Sequence, residues 1–204
     1  MTSNYEKMLL GAKELFLRRD QEKMIGLWGL EHDGEYFYFD LFSQPVKLNR
    51  KTALLGAAGG EGYPPVNGVN DSMIVFDLLT RPSARPKCKG EWASISMLGG
   101  IIGAGHDRLL HHGKDAEFFT GAADRLADAC LRMRGLPFGK ADAGFVIPVF
   151  GEFSAVLQFW DADDEFPAQL KFLFDANALD FMHYETLWYV MAGILARVKY
   201  YFNN

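Results

Sequence analysis

The stretch FWDADDEFP at 159–167 sets four acids, Asp161, Asp163, Asp164 and Glu165, between Trp160 and Phe166, with Pro167 at its exit. Carboxylates packed this densely suit three kinds of chemistry. They can give hard oxygen ligands to calcium or magnesium. They can work as an acid–base pair, provided burial raises one of their pKa values. They can also form a solvated turn in which one Asp accepts bonds from its own backbone N–H groups. The run lacks the D-x-D-x-D-G order and distal glutamate of a calcium loop, which leaves Asp163, Asp164 and Glu165 as the candidate metal ligands. A hairpin tip offers little burial, so an acid–base pair ranks last. A plain turn ranks first, ahead of a cation site and of a surface that contacts a ligand or partner.

Other motifs carry less. LGGIIGAGHD at 98–107 is rich in glycine, but its order is not the G-x-G-x-x-G of a dinucleotide loop, and no Lys-Ser/Thr follows. His106 and His111 are five apart, a poor spacing for one helix face, and zinc motifs use three or four. No G-x-S-x-G nucleophile elbow occurs. Cys88 lies in the basic stretch RPKCKG, which would lower a thiol pKa, whereas Cys130 reads as a small core residue.

Several elements must position these groups. Tyr5, Met8, Leu9, Ala12, Leu15 and Phe16 recur at helical spacing, with Ser3 and Glu6 at capping-box distance. A short second helix covers 24–30. Asp33-Gly34 marks a turn before the strand at 36–39, and Pro45 argues that the return strand is an edge. GAAGGEGYPPVNGVND, with Tyr63 near its centre, is a long irregular loop, and loops of that length usually have a task. Asp71 is a candidate cap for a helix through Leu79. EWASISMLGG alternates as a strand does. One helix is expected from Asp115 to its stop at Gly135. GFVIPVF, SAVLQFW and LKFLFD read as strands, which puts the acids in the hairpin loop between the last two. A final helix covers 184–201, with His183 and Glu185 at its start.

The 204 residues suffice for one well-buried core. Aromatics make up 14%, with 17 Phe, which implies a core or pocket built from large rings. The net charge of −5 and the absence of a basic stripe argue against nucleic acid. Two cysteines cannot form a disulfide framework or hold an iron–sulfur cluster by themselves. They fit a reducing cytoplasm. The N-terminus lacks the order of a signal peptide, and the longest apolar run, 187–196, is about half a membrane span.

Three blocks, GEGYPPVNGVNDSMIVFDLL, GEWASISMLGG and FWDADDEFPAQLKFLFDANALDFMHYE, resemble the domain of unknown function 3786 family, over about 34–198. The most specific part is W-x-x-D-D-E-F-P followed by L-F-D: Trp160, Asp163, Asp164, Glu165, Phe166, Pro167, then Leu173, Phe174, Asp175. The chain departs from the family at Ala162, where a glycine is usual, so the turn there either avoids positive φ or is strained. Asp161 replaces a frequent glutamate, and the proline usual before the glycine pair at 99–100 is missing. The resemblance implies an anaerobic bacterial or archaeal setting and a distant link to corrinoid and iron–sulfur one-carbon chemistry. It implies no established activity.

The expectation is therefore an α+β single domain over 1–204, with a helical segment at 1–33 and a family-like core at 34–198. A largely antiparallel sheet would pack with N-terminal, central and C-terminal helices. The leading function is a non-catalytic binding module for a small molecule or cofactor, or for a redox or iron–sulfur partner protein. Its contacts would be Trp160, Asp161, Asp163, Asp164, Glu165, Phe166 and Tyr63, with Trp160, Phe166 and Phe174 anchoring the acidic turn on the core. The alternatives are a metal-assisted enzyme using a divalent cation at Asp163, Asp164 and Glu165, and a homo-oligomeric scaffold that packs through the last helix.

Overall fold

Alternating side chains from Tyr36 onward make a strand, because every second residue, Phe37 and Leu41 among them, must be covered. The computed structural model describes residues 4–66, 68–99 and 113–204. The described chain runs α1 (Asn4–Arg18), α2 (Gln21–Trp28), β1 (Glu31–His32), β2 (Tyr36–Leu41), β3 (Gln44–Asn49), β4 (Leu55–Ala57), α3 (Asn70–Thr80) and β5 (Trp92–Ala93). It continues with α4 (Gly113–Phe119), α5 (Ala123–Arg132), β6 (Leu136–Pro137), β7 (Ala143–Phe150), β8 (Phe153–Trp160), β9 (Gln169–Asp175), α6 (Ala178–Phe181) and α7 (Tyr184–Asn203). The class is α+β, and every pairing among the described strands is antiparallel, as the pattern of elements implied. The expected capping residue Ser3, the glycine-rich 100–107 and His106 and His111 lie outside the described residues.

The chain forms two compact units, one of residues 1–87 with 179–193, the other of 88–178 with 194–204. Each has its own sheet, where the sequence suggested one. The first unit holds the order β1-β2-β3-β4. Its β2–β3 hairpin turns on Phe42 and Ser43, both at positive φ (52° and 60°), the left-handed pair that a two-residue hairpin loop needs. β3 pairs on both sides and is an inner strand, not the edge that Pro45 suggested. Pro45 is tolerated because it faces Asp40 at a non-hydrogen-bonded position, and on its other side it lies past the last β3–β4 pair, Val46 with Ala57, where its carbonyl accepts from Ala58 N at 3.0 Å and the missing N–H falls at the end of the ladder. Phe16 of α1 is fully buried between Phe37 and Phe76, at ring distances of 6.1 and 5.5 Å.

Asp71 does not cap α3. It lies within the helix and is wholly buried, and the cap position falls on Val69. The start of α7 is capped from α3 instead: Asp77 Oδ2 accepts from His183 N and Thr186 Oγ1, both at 2.6 Å.

The second unit holds the order β5-β9-β8-β7-β6. β7, β8 and β9 form a meander whose inner face is aromatic, with Phe153, Phe159 and Phe174 fully buried. EWASISMLGG gives only the two-residue β5 before a 3₁₀ turn at Ile95–Met97.

The single helix expected from Asp115 to Gly135 is two, broken at Thr120 and Gly121, with Gly121 at φ 72°. Gly135 does end α5, but not by supplying the left-handed residue. Arg134 does that at φ 57°, and Gly135 N then donates to Cys130 O at 2.9 Å. Glycine is required at 135 because a Cβ there would lie 2.7 Å from that carbonyl.

Candidate functional site

The acidic stretch is the loop of the β8–β9 hairpin, whose last pair is Trp160 with Gln169. Three carboxylates organise its backbone. Asp163 Oδ1 accepts from Glu165 N at 2.9 Å and from Phe166 N at 2.7 Å, and Asp163 N donates to Phe166 O at 3.0 Å. This is an Asx turn closed by a backbone bond, the self-bonded arrangement ranked first from the sequence. Asp161 reaches further: both its oxygens accept from Gly121 N, at 2.9 and 3.0 Å, and Asp161 N donates to Asp142 Oδ2 at 2.8 Å. The α4–α5 break explains the first contact, since a residue inside a continuous helix would give its N–H to the carbonyl four residues earlier. Ala162 stays out of the left-handed region, whose described non-glycine occupants are Phe42, Ser43, Ala53 and Arg134. The loop thus avoids backbone strain at this position.

Above this framework Asp163, Asp164, Glu165 and Phe166 are exposed, while Trp160 and Asp161 are half-buried. Phe166 is 59% exposed and does not anchor the turn, as its place in the motif had suggested; that role falls to the carboxylate bonds and to the fully buried Phe174. Among the described residues, no group of three or more His, Cys, Asp or Glu side chains gathers to hold a metal ion. Asp163 spends one oxygen on two N–H groups, which further reduces what it can offer a cation. Tyr63 belongs to the other compact unit. Its ring packs over Gly59, where a Cβ would meet Cε2 at 3.0 Å, and Pro64 O next to it accepts from the buried Gln44 Nε2 at 2.9 Å.

The turn bonds fix the sign of one titration. The N–H groups of Glu165 and Phe166 stabilise the Asp163 carboxylate and hold its pKa below the ordinary aspartate value. A depressed folded value contributes stability above the unfolded pKa, about 3.9, and that contribution is lost as pH falls through the folded value. A carbon-detected NMR titration should give Asp163 a midpoint below that of the same residue in an unfolded peptide of 159–168. The amide shifts of Glu165 and Phe166 should follow the same midpoint. An unshifted midpoint would refute the turn.

The motif's last acid, Asp175, was not singled out from the sequence as a site, and it organises the other end of β9. It is 1% exposed, and its carboxylate accepts from Lys89 N at 3.0 Å, Gly90 N at 2.7 Å and Asn177 N at 3.2 Å. The signal that could have found it was the fixed L-F-D ending, since an acid closing an otherwise apolar strand needs backbone donors. Its position also corrects the reading of Cys88. Burial, then the negative charges of Asp175 and Glu152, push this thiol up to about 11, the opposite of what the neighbouring lysines suggested. Cys88 Sγ donates to Glu152 O at 3.3 Å. Cys130 is fully buried as expected, and burial pushes it up to about 12.

No curated protein and no solved structure matches the chain. The family described as a domain of unknown function (DUF3786) matches residues 20–197, which adds α2 to the span suggested by the motifs. With nearly the whole chain covered, and with the W-x-x-D-D-E-F-P segment forming a carboxylate-pinned hairpin that ends in a buried aspartate, the protein belongs to the DUF3786 family.

Proposed function

We propose that this protein is a non-catalytic binding module of anaerobic cytoplasmic metabolism, which docks a redox or iron–sulfur partner protein through the 160–166 hairpin. One observation carries the reading. The loop backbone is held by Asp161 and Asp163, while Asp164, Glu165 and the 59%-exposed Phe166 face solvent. A rigid loop loses little conformational entropy on binding, and an aromatic side chain beside charge is the kind of residue that dominates interface energetics. The partner surface that fits it carries a basic group, Arg above all, next to an apolar hollow. Two free thiols suit a reducing compartment, and no helix among the described residues is long and apolar enough to cross a membrane.

The test places a photo-crosslinking amino acid at Phe166 in the native host. A single discrete crosslinked protein, lost when Asp164→Asn and Glu165→Gln are added, is the expected result. A crosslink indifferent to those changes would overturn the docking role. A magnesium- or calcium-induced rise in melting temperature that Asp164→Asn/Glu165→Gln abolishes would move the site to the metal-assisted reading.

A further inference from the structure

We infer that the protein associates with a second copy of itself through α1, with the two helices antiparallel and crossing at Gly11. At 3.6 residues per turn, Met8, Gly11 and Leu15 fall on one line of the helix at i, i+3 and i+7, with Lys7 and Glu14 on the adjoining line. Phe16 is buried on another face. Met8 is 44% and Leu15 45% exposed, and Lys7, Gly11 and Glu14 are exposed as well. Gly11 is the unexplained residue. It weakens a helix interior relative to alanine, it keeps out of the positive-φ region, and a Cβ there would meet no atom of the described residues within 4 Å. No described residue of the protomer accounts for glycine at this position, and the missing side chain leaves room for the close approach of another helix.

The charges choose the occupant. About a two-fold axis at Gly11, antiparallel pairing puts Met8 opposite Leu15 of the partner subunit, and Lys7 opposite the partner's Glu14. The symmetry repeats both contacts, as an isologous interface requires. A parallel pair would instead set Lys7 against Lys7 of the partner subunit. Glu14 also touches Arg18 Nη2 at 3.5 Å, an exposed contact that leaves room for a second cation.

Light scattering and sedimentation of the full chain over a micromolar concentration series test this. The expected species has twice the 22.9 kDa protomer mass. Met8→Glu and, separately, Leu15→Glu should give monomer with unchanged circular dichroism, because both positions are exposed. Lys7→Glu alone should weaken the dimer at least about tenfold by setting like charges opposite each other. The double change Lys7→Glu/Glu14→Lys should restore it. A chain that is monomeric throughout, a dimer indifferent to Met8→Glu, or a double variant no tighter than Lys7→Glu alone would each overturn the inference.

Discussion

Gly144→Ala is expected to destabilise the protein by about 3 kcal/mol, lowering the melting temperature by about 6–12 °C. The cause is local and steric. A Cβ at 144 would lie 2.1 Å from Phe138 O, a contact that no side-chain adjustment relieves because both groups are held by backbone. Phe138 N donates to Gly144 O at 2.8 Å, and this bond continues the β6–β7 pairing of Leu136 with Val146 and Pro137 with Phe145. The methyl must open that ladder or displace β7, which is central to the second unit's core. Gly26→Ala is the control. Gly26 lies inside α2 with nothing within 4 Å of its added Cβ. There the substitution should stabilise by about 0.5–1 kcal/mol through helix propensity. Thermal and urea denaturation of both variants measures the pair, and equal effects would refute the steric account.

Asp175→Ala is expected to cost about 3 kcal/mol and, in the same protein, to speed alkylation of Cys88 by iodoacetamide at neutral pH. The first effect follows from the donors the buried carboxylate serves. Without it, the N–H groups of Lys89 and Gly90 lose their acceptor, and the bond from Ala176 N to Glu91 O beside the short β5–β9 pairing loses its support. The second follows from charge. Burial is the larger reason for the raised Cys88 thiol and would partly persist, but the Asp175 contribution would vanish, so the pKa falls and the thiolate fraction rises. Asp175→Asn should show a smaller stability loss, since one carbonyl oxygen remains, with a similar gain in Cys88 reactivity. A variant that lost stability without any change in alkylation rate would show that Asp175 does not act on the thiol.

The long strands were legible because alternation is a local property. β7, β8 and β9 could be read from GFVIPVF, SAVLQFW and LKFLFD, and α7 from its broad apolar pattern. The short strands β1, β4 and β6, of two or three residues each, were not, because so few positions carry no period. The α4–α5 break was missed for a related reason. Phe118, Phe119, Ala122 and Ala123 satisfy a helical repeat across it, and only the Asp161 contact from 40 residues away gives Gly121 N another acceptor. Pro45 misled in the opposite way: proline marks edges on average, yet here its missing N–H is turned away from β2 and falls just past the end of the β3–β4 ladder.

By themselves, the residues determined the α+β class, the family, the hairpin loop that holds the acids and the self-bonding aspartate within it. All of these rest on neighbours in sequence or on a motif read in one pass. Tertiary structure alone decided which carboxylates are structural and which are presented. Asp161 and Asp175 look alike in sequence to Asp164 and Glu165, and only the arrival of Gly121, Lys89 and Gly90 from distant segments separates them. A carboxylate's role is set by the donors around it, and at long range those donors are chosen by the packing of the fold.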